Sequence, residues 1–387
     1  MPNLKIDREY LTETLANLIR INSINPTLVP GGTGEAEIAA YVADTLRGLN
    51  MDVALHEVEP RRVNVVGRLK GGSGGGKTLM LNGHMDTVGI DNMPAPFSAN
   101  IVDGKMYGRG AYDMKGGLAA CIAAAKAIVD AGVSLSGELQ IATVCDEEYA
   151  SLGTADVVKR YRPDAAIVTE PTELVISLAH KGFIWLEVET IGKAAHGSRP
   201  QLGIDANMRM GRFLGKLDQL EQELRARQGH PLIGPPTLHA SLIQGGTGLS
   251  VISESCKLQI ERRTIPGETE AQVVAEIQAL IDRLSASDPT FKATVKSFFV
   301  RDPFEVSEDA AIVKALDRAA TNVLHKQLPQ AGVSFWTDAA LYASAGIETV
   351  LFGPIGAGAH AREEWIDLQS VEDAALVLAQ TAIEYCR

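Results

Sequence analysis

Aromatic residues make up only 5% of the 387 residues, there are just four cysteines, and basic charge is in deficit. Cys121, Cys145, Cys256 and Cys386 are widely separated and form no CxxC pair, which argues against a disulfide framework and against a thiolate zinc site. Lys and Arg number 36 against 48 Asp and Glu, a net charge of −12, so the chain lacks the basic surface a general nucleic-acid binder needs. Long apolar runs are missing too. The most apolar helical stretch, residues 117–129, is alanine-rich, interrupted by Lys126 and too short to span a bilayer. The first residues, MPNLKIDREYLTETL, contain no apolar signal-peptide core. A cytoplasmic protein with no nucleic-acid or membrane partner is expected. What is present is a normal globular composition, 45% hydrophobic and 22% charged, at a length that suits two domains.

Helical periodicity predicts helices over 7–19, with Leu11, Leu15, Leu18 and Ile19 on one face, and over 35–49, with Ile38, Val42, Leu46 and Leu49. Strand-like runs follow at 51–58, 63–69 and 78–82, then a helix over 116–129, a strand at 139–144, a helix at 154–160 and a strand at 165–169. This alternation indicates a layered α/β domain. The pattern changes after His180. Strands at 183–190, 237–243, 257–263 and 291–299, with helices over 205–217 and 268–284, give the order βαββαβ of a ferredoxin-like domain. From about residue 301 the α/β style resumes, with a strand at 349–352 and a closing helix at 370–385. The expected architecture is one α/β domain, residues 1–179 and 302–387, interrupted by a second at 180–301.

Gly71–Thr78 fits GxxxxGK[ST] letter for letter. A phosphate-binding loop needs a helix after it, whose N-terminus and loop amides cradle the phosphates. Here Leu79-Met80-Leu81-Asn82-Gly83 follows, a strand, so the expected structure is a strand-to-strand hairpin and not a nucleotide site.

Potential metal ligands gather where strands are expected to end. His84 and Asp86 follow one strand, Glu147 and Glu148 another, and Glu170 a third. Asp113 precedes the 116–129 helix, and His360 follows a glycine-rich loop after the 349–352 strand. Open α/β sheets bind ligands at the carboxyl ends of their strands. Histidine with carboxylate suits zinc or a similar divalent ion. His84-x-Asp86 also offers an outer partner, with the Asp86 carboxylate accepting the other ring N–H. Glu147 and Glu148, if extended, point opposite ways and could divide the work.

The motifs GHMDTV (83–88), GRGAYDMKGG (108–117), DEE (146–148), TEPT (169–172), AAHGSRP (194–200), ERRTIPGE (261–268) and GPIGAGAH (353–360) occur in an order similar to that of a known family. The chain resembles the dinuclear zinc hydrolases that include acetylornithine deacetylase, succinyl-diaminopimelate desuccinylase, aminoacylase and carboxypeptidase G. The resemblance implies a zinc-exopeptidase-like catalytic domain, a mixed sheet between helices, and an inserted ferredoxin-like domain acting as lid and dimerisation surface. It implies two divalent ions per chain, zinc or alternatively cobalt. Asp113 would bridge them, His84 and Glu170 would complete one, and Glu148 and His360 the other. Two ions about 3.5–4 Å apart activate a water and polarise a carbonyl. Glu147 would be the general base and Asp86 part of the catalytic group. His196, in the inserted domain, would reach the partner subunit's site in a homodimer and stabilise an oxyanion. Arg263, rather than its neighbour Arg262, would bind a substrate carboxylate, as a guanidinium fork does well.

The sequence departs from the family at Ser250, where asparagine is common in the substrate pocket, and at Ala150-Ser151, where a glycine pair often stands. The implied reaction is hydrolysis of a small N-acyl amino acid. A metallocarboxypeptidase or dipeptidase is the alternative, and a non-catalytic dimeric binding protein a remote one.

Overall fold

The computed structural model describes residues 4–72 and 75–387. The chain divides into two compact units. One comprises residues 1–178, 306–331 and 337–387, and the other residues 179–305 and 332–336. The short return of 332–336 to the second unit leaves no mark in the sequence pattern.

The first unit is mixed α/β. Its main sheet runs, in spatial order, Asp52–Glu59, Arg62–Lys70, Glu138–Val144, Thr78–His84, Ala165–Val168, Glu348–Leu351 and Ile176–His180, the last carrying the chain into the second unit. The four strands from Glu138–Val144 to Glu348–Leu351 are mutually parallel, and the flanking ones antiparallel. The parallel strands are buried along almost their whole length, as expected of a sheet covered on both faces. Helices Gly116–Asp130, Leu368–Tyr385 and Ala311–Leu324 pack side by side, with Arg8–Arg20 against the first. Leu152–Arg160 and Ala339–Ser344 form a separate pair. A second, small antiparallel sheet joins Gly356–Ala357, Trp365–Asp367, Lys105–Tyr107 and Asn100–Val102. It ties together two loops far apart in the chain, one bearing Asp113 and the other His360.

The expected hairpin at the glycine run is corrected. A strand does follow it, and no helix does. But Arg62–Lys70 and Thr78–His84 are not neighbours, because Glu138–Val144 lies between them. Ser73 and Gly74 of the motif lie outside the described residues.

The second unit has the order strand Gly182–Ile191, helix Ala206–Ala226, strands Thr237–Gly245 and Ser255–Thr264, helix Glu270–Ser287 and strand Lys292–Arg301. Gly182–Ile191 lies between Ser255–Thr264 and Lys292–Arg301, and Thr237–Gly245 forms an edge. Strict alternation along Gly182–Ile191 turns Ile184, Leu186 and Val188 into a core with Phe213, Leu217, Ile277 and Leu280 from the two helices. Asp205 caps the first helix, and a reciprocal Thr269–Gln272 capping box starts the second.

Candidate metal centre

His84, Glu147, Glu148 and Glu170 all lie at or just beyond the carboxyl ends of three adjacent parallel strands, with the His84 strand in the middle. The expectation that Asp113 and His360 also sit at such ends is corrected. Asp113 belongs to the irregular turn Ala111–Lys115 leading into the Gly116–Asp130 helix. His360 is in the turn between two strands of the small sheet, with φ +60°, and its ring is half exposed.

All six side chains converge. His84 Nε2 lies 3.1 Å from Asp113 Oδ1 and 3.9 Å from both Glu147 Oε2 and Glu170 Oε1. His360 Nε2 lies 3.3 Å from Asp113 Oδ2 and 2.9 Å from Glu148 Oε2. The two oxygens of Asp113 therefore face different histidines. Two overlapping sets of candidate ligands, His84–Asp113–Glu148 and His84–Glu147–Glu170, each gather within 4.8 Å.

Two expectations about how the site is held need correction. The His84 ring bonds through Nδ1 to the main-chain carbonyl of Asp86 at 2.9 Å, whereas the Asp86 carboxylate is 3.7 Å away. That carboxylate instead accepts the amides of Glu147 (3.1 Å) and Glu148 (3.3 Å) and the Asn25 side chain (2.8 Å). Nor are Glu147 and Glu148 extended. They lie in a tight turn after the Glu138–Val144 strand, and the turn, not strand alternation, sends their carboxylates to different neighbours.

Sequence reasoning missed Glu364. It is buried, and its carboxylate accepts the amides of Gly110 (3.0 Å), Tyr112 (2.9 Å) and Asp113 (3.0 Å). Arg109 Nη1 neutralises it at 2.7 Å. Glu364 thus fixes the loop that presents Asp113. Nothing in the run Arg362-Glu363-Glu364 distinguishes it from a solvated charge pair.

The electrostatics fit a cation. Burial, with the neighbouring Glu170 charge, holds Glu147 well above the usual carboxylate range. Burial and then the Asp113 charge push Glu148 to about 7, and burial also raises Glu170. Burial would raise Asp113 as well, but hydrogen bonds from His360 and His84 outweigh it and hold that carboxyl low. Hydrogen bonds to Asp113 and Glu148 raise His360 to about 10. Burial opposes a charged His84, yet its bond to Asp113 and the surrounding carboxylates raise it well above normal. The cluster is short of positive charge, and Glu148 Oε1 is buried without a hydrogen-bond partner among the described residues. With Nδ1–H committed to the Asp86 carbonyl, the Nε2 lone pair faces a carboxylate, an arrangement that calls for a proton or a cation between them. Oxygen and imidazole donors of this kind suit a hard-to-borderline divalent ion.

The family model described as Peptidase family M20/M25/M40 matches residues 80–384. The chain belongs to that family. It is 30% identical to acetylornithine deacetylase of Myxococcus xanthus, over 97% of both chains. To N-formyl-4-amino-5-aminomethyl-2-methylpyrimidine deformylase of Bacillus subtilis it is 29% identical, over 97% of this chain and 95% of that one. Among solved structures, aminopeptidase PepT of Bacillus cereus superposes with a TM-score of 0.82 at 19% identity, covering 99% of this chain and all (100%) of the other. The M20 chain is an amidohydrolase with a candidate centre for metal ions, and no described helix is long and apolar enough to cross a membrane.

The remaining expected residues lie in the second unit. His196 is exposed on the short strand Ala195–His196, which pairs with Val251–Ile252. The Ser198 hydroxyl and amide both meet its Nδ1, at 2.8 and 3.2 Å. Ser250 is beside it, its carbonyl accepting the Gly197 amide at 2.7 Å. Arg262 and Arg263 differ sharply. Arg262 is buried and bonded to Glu268 at 2.6 Å. Arg263 is partly exposed, lies over the Phe183 ring and bonds Glu261 at 2.7 Å.

Proposed function

We propose that this protein hydrolyses the amide bond of a small N-acyl amino acid, in the manner of an acetylornithine deacetylase, with two divalent ions per chain, zinc or cobalt. His84, Glu170 and Asp113 would hold one ion, and Glu148, His360 and Asp113 the other. When bound, such ions make water acidic enough to attack at neutral pH and polarise the scissile carbonyl. Glu147 takes the proton from the attacking water and delivers it to the leaving amine. The observation that carries this reading is that the two Asp113 oxygens face different histidines, His84 at 3.1 Å and His360 at 3.3 Å, with Glu170 beside the first and Glu148 beside the second.

A deacylase is favoured over a peptidase because the deacetylase and the deformylase, both similar over their full length, are named for removing an acyl group. Asp86 serves as a positioning residue. His196 would donate to an oxyanion, Arg263 would receive a carboxylate, and Ser250 would line the substrate pocket. Residues 1–179 and 302–387 form the catalytic domain in this reading, and 180–301 the lid. The Thr237–Gly245 edge strand, with Leu242 and Ile243 exposed, supports a homodimer through the lid. Four buried free thiols accord with a cytoplasmic setting.

The deciding experiment is a hydrolysis screen of N-acetyl, N-formyl and N-succinyl amino acids and dipeptides with added zinc or cobalt. Turnover of acyl amino acids above dipeptides is expected, and the reverse order would overturn the deacylase assignment.

A further inference from the structure

A buried network behind the metal centre links four separate segments of the first unit. Arg62, at the start of the Arg62–Lys70 strand, is 2% exposed. Its guanidinium grips Glu35 with two bonds, 2.8 and 2.9 Å, and the same Nη2 donates to Asp146 Oδ1 at 2.7 Å. Its third nitrogen donates to Thr27 Oγ1 at 3.2 Å. Asn25 then bridges two carboxylates with one amide nitrogen, donating to Asp146 Oδ1 at 3.0 Å and to Asp86 Oδ2 at 2.8 Å. Asp86 is the residue that receives the amides of Glu147 and Glu148.

Asp146 is the hub of the turn these glutamates occupy. It has φ +67°, a left-handed conformation. Its carbonyl accepts the amides of Ala150 at 3.1 Å and Ser151 at 2.5 Å, and its Oδ2 accepts that of Leu152 at 3.3 Å. Glu35, Asp86 and Asp146 have no exposed surface (0% each). Buried charges persist only when paired and hydrogen-bonded. Arg62 satisfies two of the three at once, which requires a planar fork with donors on several sides; an ammonium cannot reproduce that geometry.

We propose that Arg62 is a positioning residue for the catalytic turn, holding Asp146 in its left-handed conformation so that Asp86 can fix the amides of Glu147 and Glu148. The inference rests on the roles proposed above for those two glutamates. It makes the ion pair with Glu35, which touches neither glutamate, part of the machinery that sets the metal centre.

The test uses the metal-loaded full chain with Arg62→Lys, and with Asp146→Asn, which tolerates the left-handed conformation. Arg62→Lys keeps the charge and loses the fork. In folded protein, judged by circular dichroism, each is expected to lower kcat per metal-loaded chain by about 10–100-fold with KM nearly unchanged. Each is also expected to release metal to a chelator faster than the wild type, because Glu148 is displaced. If both variants keep wild-type kcat and wild-type metal release, the network only supports the fold and the proposal is wrong. It is equally wrong if the lost activity equals the unfolded fraction. Metal release reports on Glu148 and not on proton transfer, so this result stands even if Glu147 proves not to be the base.

Discussion

Glu147 and Glu148 differ by one position in the chain, and substitution should separate them cleanly. Glu147→Gln is expected to retain metal by elemental analysis and to lower turnover by about 10²–10⁴, the usual worth of a general base. Glu148→Gln should instead lose metal. The opposite pattern would reverse their roles. A pH effect belongs to Glu35, whose carboxyl is pushed up to about 7 by burial and then by the Asp86 charge. A carboxyl raised on folding contributes stability below its unfolded value that is lost as pH rises through its folded value. Relative to Glu35→Gln, the wild type should therefore lose stability between about pH 4.5 and 7, read as a falling urea midpoint. That motif residues such as His84 and Glu170 gather at one place was legible in the sequence. Their supports were not. Asn25, Arg62 and Glu364 are polar residues in ordinary-looking runs, and only the fold shows that each is buried against main-chain amides or carboxylates.

Among the secondary-structure elements, the helix Gly116–Asp130 packs tightly against the Glu170 loop. A Cβ on Gly117 would meet the Thr169 carbonyl oxygen at 2.2 Å, so helix and loop fit only because that position lacks a side chain. Gly117→Ala should displace the neighbouring Glu170 and lower metal content. Gly48→Ala, where nothing lies within 4 Å, should leave it unchanged and gain about 0.4–1 kcal/mol in stability. The buried parallel strands and most amphipathic helices were readable because burial leaves a strong periodic trace, but the helix Ala311–Leu324, with Ile312, Val313 and Leu316 buried, was not read. The Ala206–Ala226 helix runs well past the predicted end at 217, since its last turns carry Leu220 and Leu224 among many charges and the apolar signal thins out. The small sheet was missed altogether: strands of two or three residues, partly exposed, are too short for alternation to register.

For the whole molecule, the proposed dimer predicts complementation. If His196 serves the neighbouring subunit, inactive Glu147→Gln and inactive His196→Ala chains should regain activity when mixed, since one site in the mixed dimer has both groups intact. Loss of a single oxyanion donor alone should cost about 10²–10³ in turnover. No recovery after demonstrated subunit exchange would confine His196 to its own chain or remove it from catalysis.

The bond from Arg109 to Glu364 spans 255 positions. A ribosome delivers residues in order, so His84, Asp113, Glu147, Glu148 and Glu170 all emerge long before His360 and Glu364. Until Glu364 arrives, the amides of Gly110, Tyr112 and Asp113 lack their common acceptor, and Asp113 lacks one of its two histidines. The centre is therefore completed late in synthesis, and a growing chain carries several acidic ligands without the loop that arranges them. A nascent chain would offer a cation only part of the donor set that the finished fold gathers.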